Sequence, residues 1–215
     1  MEKLKEEIHK AVDLYKSGDF LKCEKNVKKL ITLNPKTAFL YNLLGLTLSA
    51  QDRIDESIEY YKKGLKIDPK FAIIYNNMAL IYYGKSLKSI NSESNIKKAE
   101  ELYKKCIDVN PKIPEANTNL GNLYNQLNKN DESIKYHKQA ISADPKYFYS
   151  YLNIANVFIS IGNFEEAKKY LNEGIKQNPK FSPAHRLLSR MKKYSKDDPH
   201  LNKLKELYEK TNEND

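Results

Sequence analysis

The sequence predicts an all-α fold in which helix-turn-helix repeats stack side by side as an α-solenoid. Five prolines recur in similar short phrases, and small residues recur at fixed distances before them. The apolar residues between these positions follow the 3.6-residue period of amphipathic helices. A period of about 34 residues leaves room for two helices of about a dozen residues each and two short turns.

The prolines set the period of the repeat. They stand at positions 35, 69, 111, 145 and 179, so three of the four spacings are 34 residues and one is 42. Each follows Asn or Asp and precedes Lys, in the phrases LNPK, IDPK, VNPK, ADPK and QNPK. A short polar residue before proline ends a helix and starts a turn, so each phrase predicts a boundary between two repeats.

Mostly small residues recur at three distances before these prolines. They are Ala11, Gly45, Gly121 and Ala155 at 24 residues, Cys23, Ser57, Ala99, Ser133 and Ala167 at 12, and Leu30, Gly64, Cys106, Ala140 and Gly174 at 5. Small side chains let two helices approach closely, so these positions predict helix crossings. We expect both cysteines, Cys23 and Cys106, to be buried core residues and not reactive thiols.

Three segments resemble the tetratricopeptide repeat: N-L-G-N-L-Y at Asn119–Tyr124, G-N-F-E-E-A at Gly162–Ala167 and I-E-Y-Y-K-K-G-L-K-I-D-P at Ile58–Pro69. The resemblance covers about residues 4–181. It implies a right-handed α-solenoid of five tetratricopeptide-type helix-turn-helix repeats plus a C-terminal helical cap. The expected units are 4–37, 38–71, 72–113, 114–147 and 148–181, with a cap at 182–210, all in a single domain 1–210, and a disordered tail at 211–215.

Two units depart from the regular repeat. The first unit has Glu7 and Lys10 where the family usually has apolar residues, which suits an N-terminal cap whose outer face meets water. The third unit is eight residues longer, with an insertion near residues 84–95. The extra residues either lengthen both helices by about one turn each or form a polar loop. We favour a mixture in which Ser92 or Ser94 caps the second helix.

The repeat phase continues briefly after Pro179. The segment Phe181–Tyr194 predicts another first helix. Asp198-Pro199 then predicts the start of a final helix. The apolar residues on one side of this final helix are Leu201, Leu204, Leu207 and Tyr208.

The resemblance also implies where a binding site lies, because in this family the first helix of each repeat lines a concave groove. The candidate peptide-binding residues are the apolar Phe39, Leu46, Ile73, Leu80 and Tyr83 and the amides Asn77, Asn119, Asn122, Asn153 and Asn156. An amide donates and accepts hydrogen bonds at once, so it can pair with any peptide backbone. The series Asn77, Asn119 and Asn153 resembles the asparagine ladder in the repeat arm of O-linked N-acetylglucosamine transferase. Alternatively, these amides are solvated surface in a chain rich in Asn.

Positive charge is abundant, with a formal net charge of +9 at pH 7, but almost all of it comes from lysine. We expect most of these lysines on second helices and turns, where they solvate the surface. Arg186, Arg190 and Lys193 differ because they share one stripe of the first cap helix, where they form a possible anion contact.

The carboxylate clamp of chaperone-binding family members is not expected, since its positions correspond here to Ile8 and Val12.

The sequence contains no pattern that points to catalysis, a cofactor or a metal. The four histidines, His9, His137, His185 and His200, lack metal-ligand spacing. Neither a glycine-rich phosphate loop nor a nucleophile elbow is present. The N-terminal segment is charged throughout and no apolar run is long enough to span a bilayer, so we expect a cytoplasmic protein without enzymatic activity and without a membrane partner.

The leading functional hypothesis is a protein–protein interaction scaffold that binds a peptide or partner segment in the groove. The alternative is a non-catalytic, substrate-recruiting arm of a sulfotransferase or glycosyltransferase system. It rests on the segment Ala184–Tyr208, which resembles the linker that joins tetratricopeptide repeats to a sulfotransferase domain in some bacterial proteins. RNA binding by the helical surface is a weaker option that predicts a steep salt dependence. The sequence does not predict the oligomeric state.

Overall fold

The computed structural model describes the backbone of residues 2–88, 92–191, 195 and 198–212. The side chains of residues 2, 3, 207, 208 and 210–212 are not among those described. Within these ranges the chain forms twelve α-helices and no strand. They are α1 (Glu2–Lys16), α2 (Phe20–Leu33), α3 (Ala38–Ala50), α4 (Ile54–Ile67), α5 (Ala72–Lys88), α6 (Ser92–Val109), α7 (Pro114–Gln126), α8 (Asn130–Ala143), α9 (Tyr149–Ser160), α10 (Phe164–Gln177), α11 (Ser182–Arg190) and α12 (Pro199–Asn212).

The helices divide between two compact units, Met1–Pro111 and Lys112–Asp215. In the first unit α1 packs on α2, α3 on α4 and α5 on α6. In the second unit α7 packs on α8 and α9 on α10, and α11 also contacts α10. The five pairs coincide with the five predicted repeats, which confirms the all-α class of repeated helix pairs. The extent of a single domain over residues 1–210 stays a prediction.

The first and second helices of a pair differ in composition. Helix α3 (AFLYNLLGLTLSA) and helix α9 (YSYLNIANVFIS) contain no charged residue. Helices α4 and α10 instead carry acidic and basic residues opposite a narrow buried stripe. A helix that is apolar on most faces is surrounded by other helices, whereas an amphipathic helix has one face in water. The second helices therefore provide most of the charged surface.

The predicted small residues lie at the helix crossings. Every one of those positions is buried in the structure. A Cβ atom added to Gly121 would lie 2.7 Å from Cε1 of His137, and one added to Gly174 would lie 2.9 Å from Cβ of Tyr151. These distances are shorter than van der Waals contact, so the helices approach as closely as glycine allows.

The proline phrases form the predicted turns between repeats. In three of the five phrases the side chain of the residue before proline accepts a hydrogen bond from the backbone N–H two residues further on. These bonds join Asp68 to Lys70 at 2.9 Å, Asp144 to Lys146 at 2.8 Å and Asn178 to Lys180 at 3.1 Å. A short Asx side chain can mimic a backbone turn in this way, which explains the Asn or Asp before these three prolines.

The turns within a repeat depend on one residue with positive φ. Gly18 and Gly162 have φ values of 80° and 79°. Asp52 and Asn128 occupy the same place in the second and fourth pairs with φ values of 60° and 57°. Asp and Asn are the non-glycine residues that tolerate this left-handed conformation best.

The eight additional residues of the third unit lengthen both of its helices. Helix α5 has 17 residues and α6 has 18, compared with 13 and 14 in α3 and α4, so each is longer by four residues. Four residues are about one helical turn, as one of the two sequence interpretations proposed. Ser92 is the first residue of α6, and residues 89–91 lie outside the described part.

The C-terminal cap contains the two predicted helices. Helix α12 begins at Pro199, as the sequence predicts, and Leu201 and Leu204 are half-buried. Helix α11 ends at Arg190, while Tyr194 and the side chains of Leu207 and Tyr208 lie outside the described part. Helix α12 includes residues 211 and 212 of the predicted tail; residues 213–215 are not described.

A charged network ties α2 to the start of α4. Glu24 accepts hydrogen bonds from Arg53 at 2.7 Å, from Lys28 at 2.6 Å and from Gln51 at 3.1 Å. Burial opposes ionisation of Glu24, but these hydrogen bonds outweigh it and hold the pKa of the carboxyl at about 2. Arg53 also pairs with Glu56 at 2.6 Å. Arg53 therefore has a structural role.

Candidate functional site

An apolar cavity of about 470 Å³ lies in the first unit on the side of α3 and α5. Its lining residues are Leu46, Ser49, Asp52, Ile54, Tyr61, Asn77, Leu80, Ile81, Gly84, Lys85 and Lys88. Three of the sequence-predicted site residues, Leu46, Asn77 and Leu80, are thus brought together. The volume lies within the range of about 300–1,000 Å³ typical of ligand sites.

Exposed apolar side chains continue along the same two helices. Phe39 is 36% exposed, Ile73 is 47% exposed and Leu80 is 43% exposed. Ile73 and Leu80 are seven residues apart in α5, as are Phe39 and Leu46 in α3, so each pair shares one helix face. Large apolar side chains exposed on one surface are typical of interaction sites.

The amide of Asn77 lies between the two first helices of this unit. Its Nδ2 donates a hydrogen bond to Oδ1 of Asn42 at 3.0 Å, which joins α5 to α3. In the second unit a hydrogen bond of 2.8 Å between Thr118 and Ser150 similarly joins α7 to α9. Asn77 therefore has a structural partner within the first unit as well as a place in the cavity wall.

The other predicted amides share one register in the second unit. Asn119 and Asn153 each stand two residues before a buried small residue, Gly121 or Ala155. Asn119, Asn122 and Asn153 are half-buried, and Asn156 is exposed. Whether these amides pair with a peptide backbone stays a prediction.

Tyr83 stands next to Gly84 of the cavity wall in sequence but is not itself one of the lining residues. The side chain is half-buried and burial raises the pKa of its phenol. A negative charge on the Tyr83 phenol would raise the pKa of the Tyr103 phenol in α6. Tyr83 therefore lies near α6, the second helix of its own pair. Its predicted role as an apolar anchor stays untested.

Two of the three predicted anion-contact residues flank a second cavity, which lies in the second unit and has a volume of about 190 Å³. It is lined by Leu152, Asn156, Pro183, Arg186, Leu187 and Arg190. Both arginines are exposed on α11. Lys193, the third predicted residue, lies outside the described part of the chain.

A histidine pair in the cap was not predicted from the sequence. His185 is buried, and its Nε2–H donates to the carbonyl of Pro179 at 2.9 Å. Its Nδ1 therefore accepts from Nε2–H of His200, also at 2.9 Å, which joins α11 to α12. The signal lies in the register, because Tyr41 and Tyr75 stand six residues after Pro35 and Pro69 and donate to those proline carbonyls at 3.0 and 3.1 Å. His185 holds the same position after Pro179.

Two further kinds of feature are absent from the described residues. No group of three or more His, Cys, Asp or Glu side chains in those ranges converges in a way that could hold a metal ion. No helix in the same ranges has both the length and the apolar character needed to cross a bilayer. Cys23 and Cys106 are fully buried, as predicted.

Comparisons with known families give one consistent result. A family model described as tetratricopeptide repeat matches residues 128–191, a second with the same description matches residues 102–135, and one described as TPR repeat matches residues 47–86. The resemblance of Ala184–Tyr208 to a sulfotransferase linker stays a prediction.

Individual proteins are similar to parts or most of the chain. The uncharacterized protein ycf37 of Cyanophora paradoxa is 44% identical over 52 residues, which are 24% of this chain and 30% of that protein. The chain thus spans less than a third of that relative. A thermophilic tetratricopeptide repeat protein from Thermus thermophilus has a TM-score of 0.71 at 17% identity, and the match covers 87% of this chain and 98% of that protein.

A further solved structure, YrrB, is described as a tetratricopeptide repeat protein with an unusual peptide-binding site. Its TM-score is 0.58 at 16% identity, and the match covers 85% of this chain and 90% of that protein. At such identities the solved structures support the fold alone. Because three models of one family together match residues 47–86 and 102–191, which are more than half of the chain, the chain belongs to the tetratricopeptide repeat family.

Proposed function

We propose that the chain is a protein-interaction scaffold that binds a peptide or an extended partner segment in the cavity on α3 and α5. The observation that carries the proposal is the exposed Leu80 in the cavity wall, with exposed Ile73 on the same face of α5 beyond the cavity. Burying a leucine side chain stabilises a complex by about 1.5–3 kcal/mol. A few such anchors dominate the affinity of a typical interface.

The rim of the cavity supports a partner with polar or acidic groups beside its apolar side chains. Lys85 and Lys88 line the cavity, and Lys85 pairs with Asp55 at 2.9 Å. The side chain of Asp55 is almost fully exposed, and an exposed pair of this kind is weak. A partner carboxylate could therefore replace Asp55 at little cost.

The predicted amide ladder would add recognition of the partner's backbone. Asn119 and Asn153 hold equivalent places on α7 and α9, and side-chain amides can donate to and accept from successive peptide groups. Such contacts do not depend on the partner's side chains. The peptide-binding site in the description of YrrB is a precedent for peptide recognition on a similar fold.

The apolar cavity is tested with peptides selected from a phage-displayed library on the immobilised full chain. Leu80→Asp should weaken binding of a selected peptide roughly tenfold or more in calorimetry, because the substitution removes an apolar anchor. Leu33→Asp is the matched control, since Leu33 is 67% exposed on the second helix α2. Equal affinities of both variants and the unchanged chain would contradict the proposal.

The amide ladder needs a separate experiment. The double substitution Asn119→Ala and Asn153→Ala should weaken binding of the same peptides without a change in the helical circular dichroism signal. Asn172→Ala, at an exposed asparagine on the second helix α10, is the control. An unchanged affinity of the double variant would remove the ladder from the proposal and leave the apolar cavity in place.

A further inference from the structure

Two tyrosine rings, Tyr147 and Tyr149, form an open aromatic corner where the chain enters α9. Their ring centroids lie 6.2 Å apart, with an angle of 56° between the ring planes. Tyr149 is 52% exposed and Tyr147 is half-buried. A positive charge within about 6 Å of a ring centroid is attracted by the electron-rich face of the ring. A cation in the aromatic corner can therefore interact with both rings.

Buried aromatic packing fixes the position of the exposed ring. Tyr149 packs against Phe181 with the ring planes at 81° and the centroids 5.3 Å apart, which is a favourable edge-to-face arrangement. Phe148 packs against the other two rings, with its centroid 4.8 Å from that of Phe181 and 5.7 Å from that of Tyr149. Phe181 is 4% exposed and belongs to the buried core of the second unit. Because this core holds Tyr149, the aromatic corner is preorganised.

A carboxylate lies beside the aromatic corner. A hydrogen bond of 2.8 Å between Thr118 and Ser150 joins α7 to α9. Glu115 stands three residues before Thr118, and Tyr149 directly precedes Ser150. Burial raises the pKa of the Tyr147 phenol, and the negative charge of Glu115 raises it further. Glu115 is exposed, and among the residues that the structure describes it forms no ion pair.

Other tyrosines of this chain already have cations over their rings. In the described part of the chain four lysine ammonium groups lie over tyrosine rings, and the closest is Nζ of Lys63, 4.5 Å from the ring centroid of Tyr60. Within the same ranges no lysine or arginine lies over Tyr147 or Tyr149. In a chain with a net charge of +9, the aromatic corner and Glu115 thus form a locally negative site without a cation from the chain itself.

We propose that the aromatic corner and Glu115 bind a cationic side chain, lysine or arginine, of the partner segment. The inference rests on the proposed scaffold function and names the chemistry of one part of the partner. The positive group lies against the faces of Tyr147 and Tyr149, and its N–H groups donate hydrogen bonds to the carboxylate of Glu115. An arginine fits best, because its planar guanidinium stacks on a ring and binds both oxygens of a carboxylate.

The test uses the full chain with ¹³C-labelled tyrosine and short blocked peptides as probes. Acetyl-Leu-Arg-Leu-amide should shift the ring resonances of Tyr147 and Tyr149, and the arginine side-chain protons of the peptide should move upfield because they lie over ring faces. Acetyl-Leu-Lys-Leu-amide separates lysine from arginine, and shifts with either cationic peptide support the proposal. Acetyl-Leu-citrulline-Leu-amide keeps the shape of arginine without its charge and should give no shift. Equal shifts with the citrulline peptide, or no shift with either cationic peptide, would overturn the proposal.

Substitutions separate this site from general charge attraction. Tyr149→Leu and Glu115→Gln should each weaken binding of the arginine peptide about two- to fivefold, the effect expected from losing an exposed cation–π contact or an exposed ion pair. Tyr149→Phe should retain the affinity, since phenylalanine also presents a ring face. Glu132→Gln is the matched control, because Glu132 is likewise exposed in the first turn of a helix of the second unit, α8.

Two results with these variants would overturn the inference. An equal loss with Glu132→Gln would show general charge attraction, and a loss with Tyr149→Phe as large as with Tyr149→Leu would show that the ring face does not bind the cation. Leu80→Asp tests the proposed scaffold function in the α3–α5 cavity independently, so the two can fail separately.

Discussion

His137 places an imidazole at a core position that other repeats fill with larger or apolar side chains. The corresponding residues are Val27, Tyr61, Tyr103 and Leu171. His137 is fully buried, and neither ring nitrogen has a hydrogen-bond partner among the residues that the structure describes. Burial alone lowers the pKa of the imidazole to about 4. The side chain is therefore neutral in the folded protein well below its ordinary pKa.

This burial should make the protein sensitive to mild acid. The unfolded chain binds a proton at His137 below its ordinary pKa of 6.5, whereas the folded chain does so only near pH 4. The free energy of unfolding should consequently decrease as the pH falls from about 6.5 to 4, by at most about 3 kcal/mol. Urea denaturation at several pH values measures this loss.

The variant His137→Leu should abolish this part of the pH dependence. It should also raise the free energy of unfolding at pH 7.5 by about 1–2 kcal/mol, since it removes two buried polar atoms without partners. His9→Gln is the control, because His9 is exposed on α1. If the free energy of unfolding of the His137→Leu variant still decreases by the full amount between pH 6.5 and 4, the acid sensitivity has another origin.

Gly121 is the packing partner of this imidazole. Gly121→Ala should lower the free energy of unfolding by about 1–3 kcal/mol, because the new Cβ would lie 2.7 Å from the His137 ring. Gly84→Ala, within α5 and with open space around it, should instead be neutral or stabilising by up to about 1 kcal/mol. Thermal unfolding of both variants measures the difference. A neutral Gly121→Ala would mean that the crossing of α7 and α8 is looser than the structure shows.

In the turns within repeats, glycine contributes through its backbone conformation and not through close packing. Gly18 has a φ of 80° and nothing within 4 Å of an added Cβ. Gly18→Ala should lower the free energy of unfolding by about 1–2 kcal/mol, solely because an L-residue is strained there. Gly18→Asn should cost less, as Asn128 occupies the same turn position. Equal stability of the alanine and asparagine variants in urea denaturation would contradict this explanation.

The elements were largely predictable because their signals are local. Asp68, Asp144 and Asn178 each cap the turn at their own proline, and the small residues mark crossings at fixed distances from the prolines. Glycine marks the turns at Gly18 and Gly162 in the sequence, but Asp52 and Asn128 have the same function without a glycine to mark them. The eight extra residues of the third unit allowed both a loop and longer helices, since composition alone does not separate the two.

The candidate site was less predictable because its signals come from residues distant in sequence. The resemblance to the tetratricopeptide family implied that Leu46 and Leu80 face the groove, and the structure brings them together in one cavity. The hydrogen bond from Asn77 to Asn42 and the pair of His185 with His200 join residues on separate helices. Side-chain partners of this kind depend on the packing of helices, which a single sequence does not specify.

The positive charge of the whole chain is distributed over many exposed lysines. Several of them pair with acidic residues three or four positions away on the same helix. These pairs are Lys28–Glu24, Lys97–Glu93, Lys98–Glu101, Lys104–Glu100, Lys168–Glu165 and Lys203–Glu206. Because many lysines are paired locally, the net charge of +9 is distributed over the surface. Long-range attraction of anions should therefore be weak and readily screened.

This distribution predicts different salt dependences for the two classes of partner. Binding of a generic single-stranded RNA to the full chain should decrease by about tenfold or more between about 50 and 200 mM NaCl, because counterion release drives such binding. Binding of an uncharged peptide to the α3–α5 cavity should change by less than about twofold, since it depends on apolar burial. Fluorescence anisotropy with labelled RNA and labelled peptide measures both. RNA binding that stays tight at the higher salt concentration would show recognition beyond the phosphates and would favour a nucleic-acid function for this repeat protein.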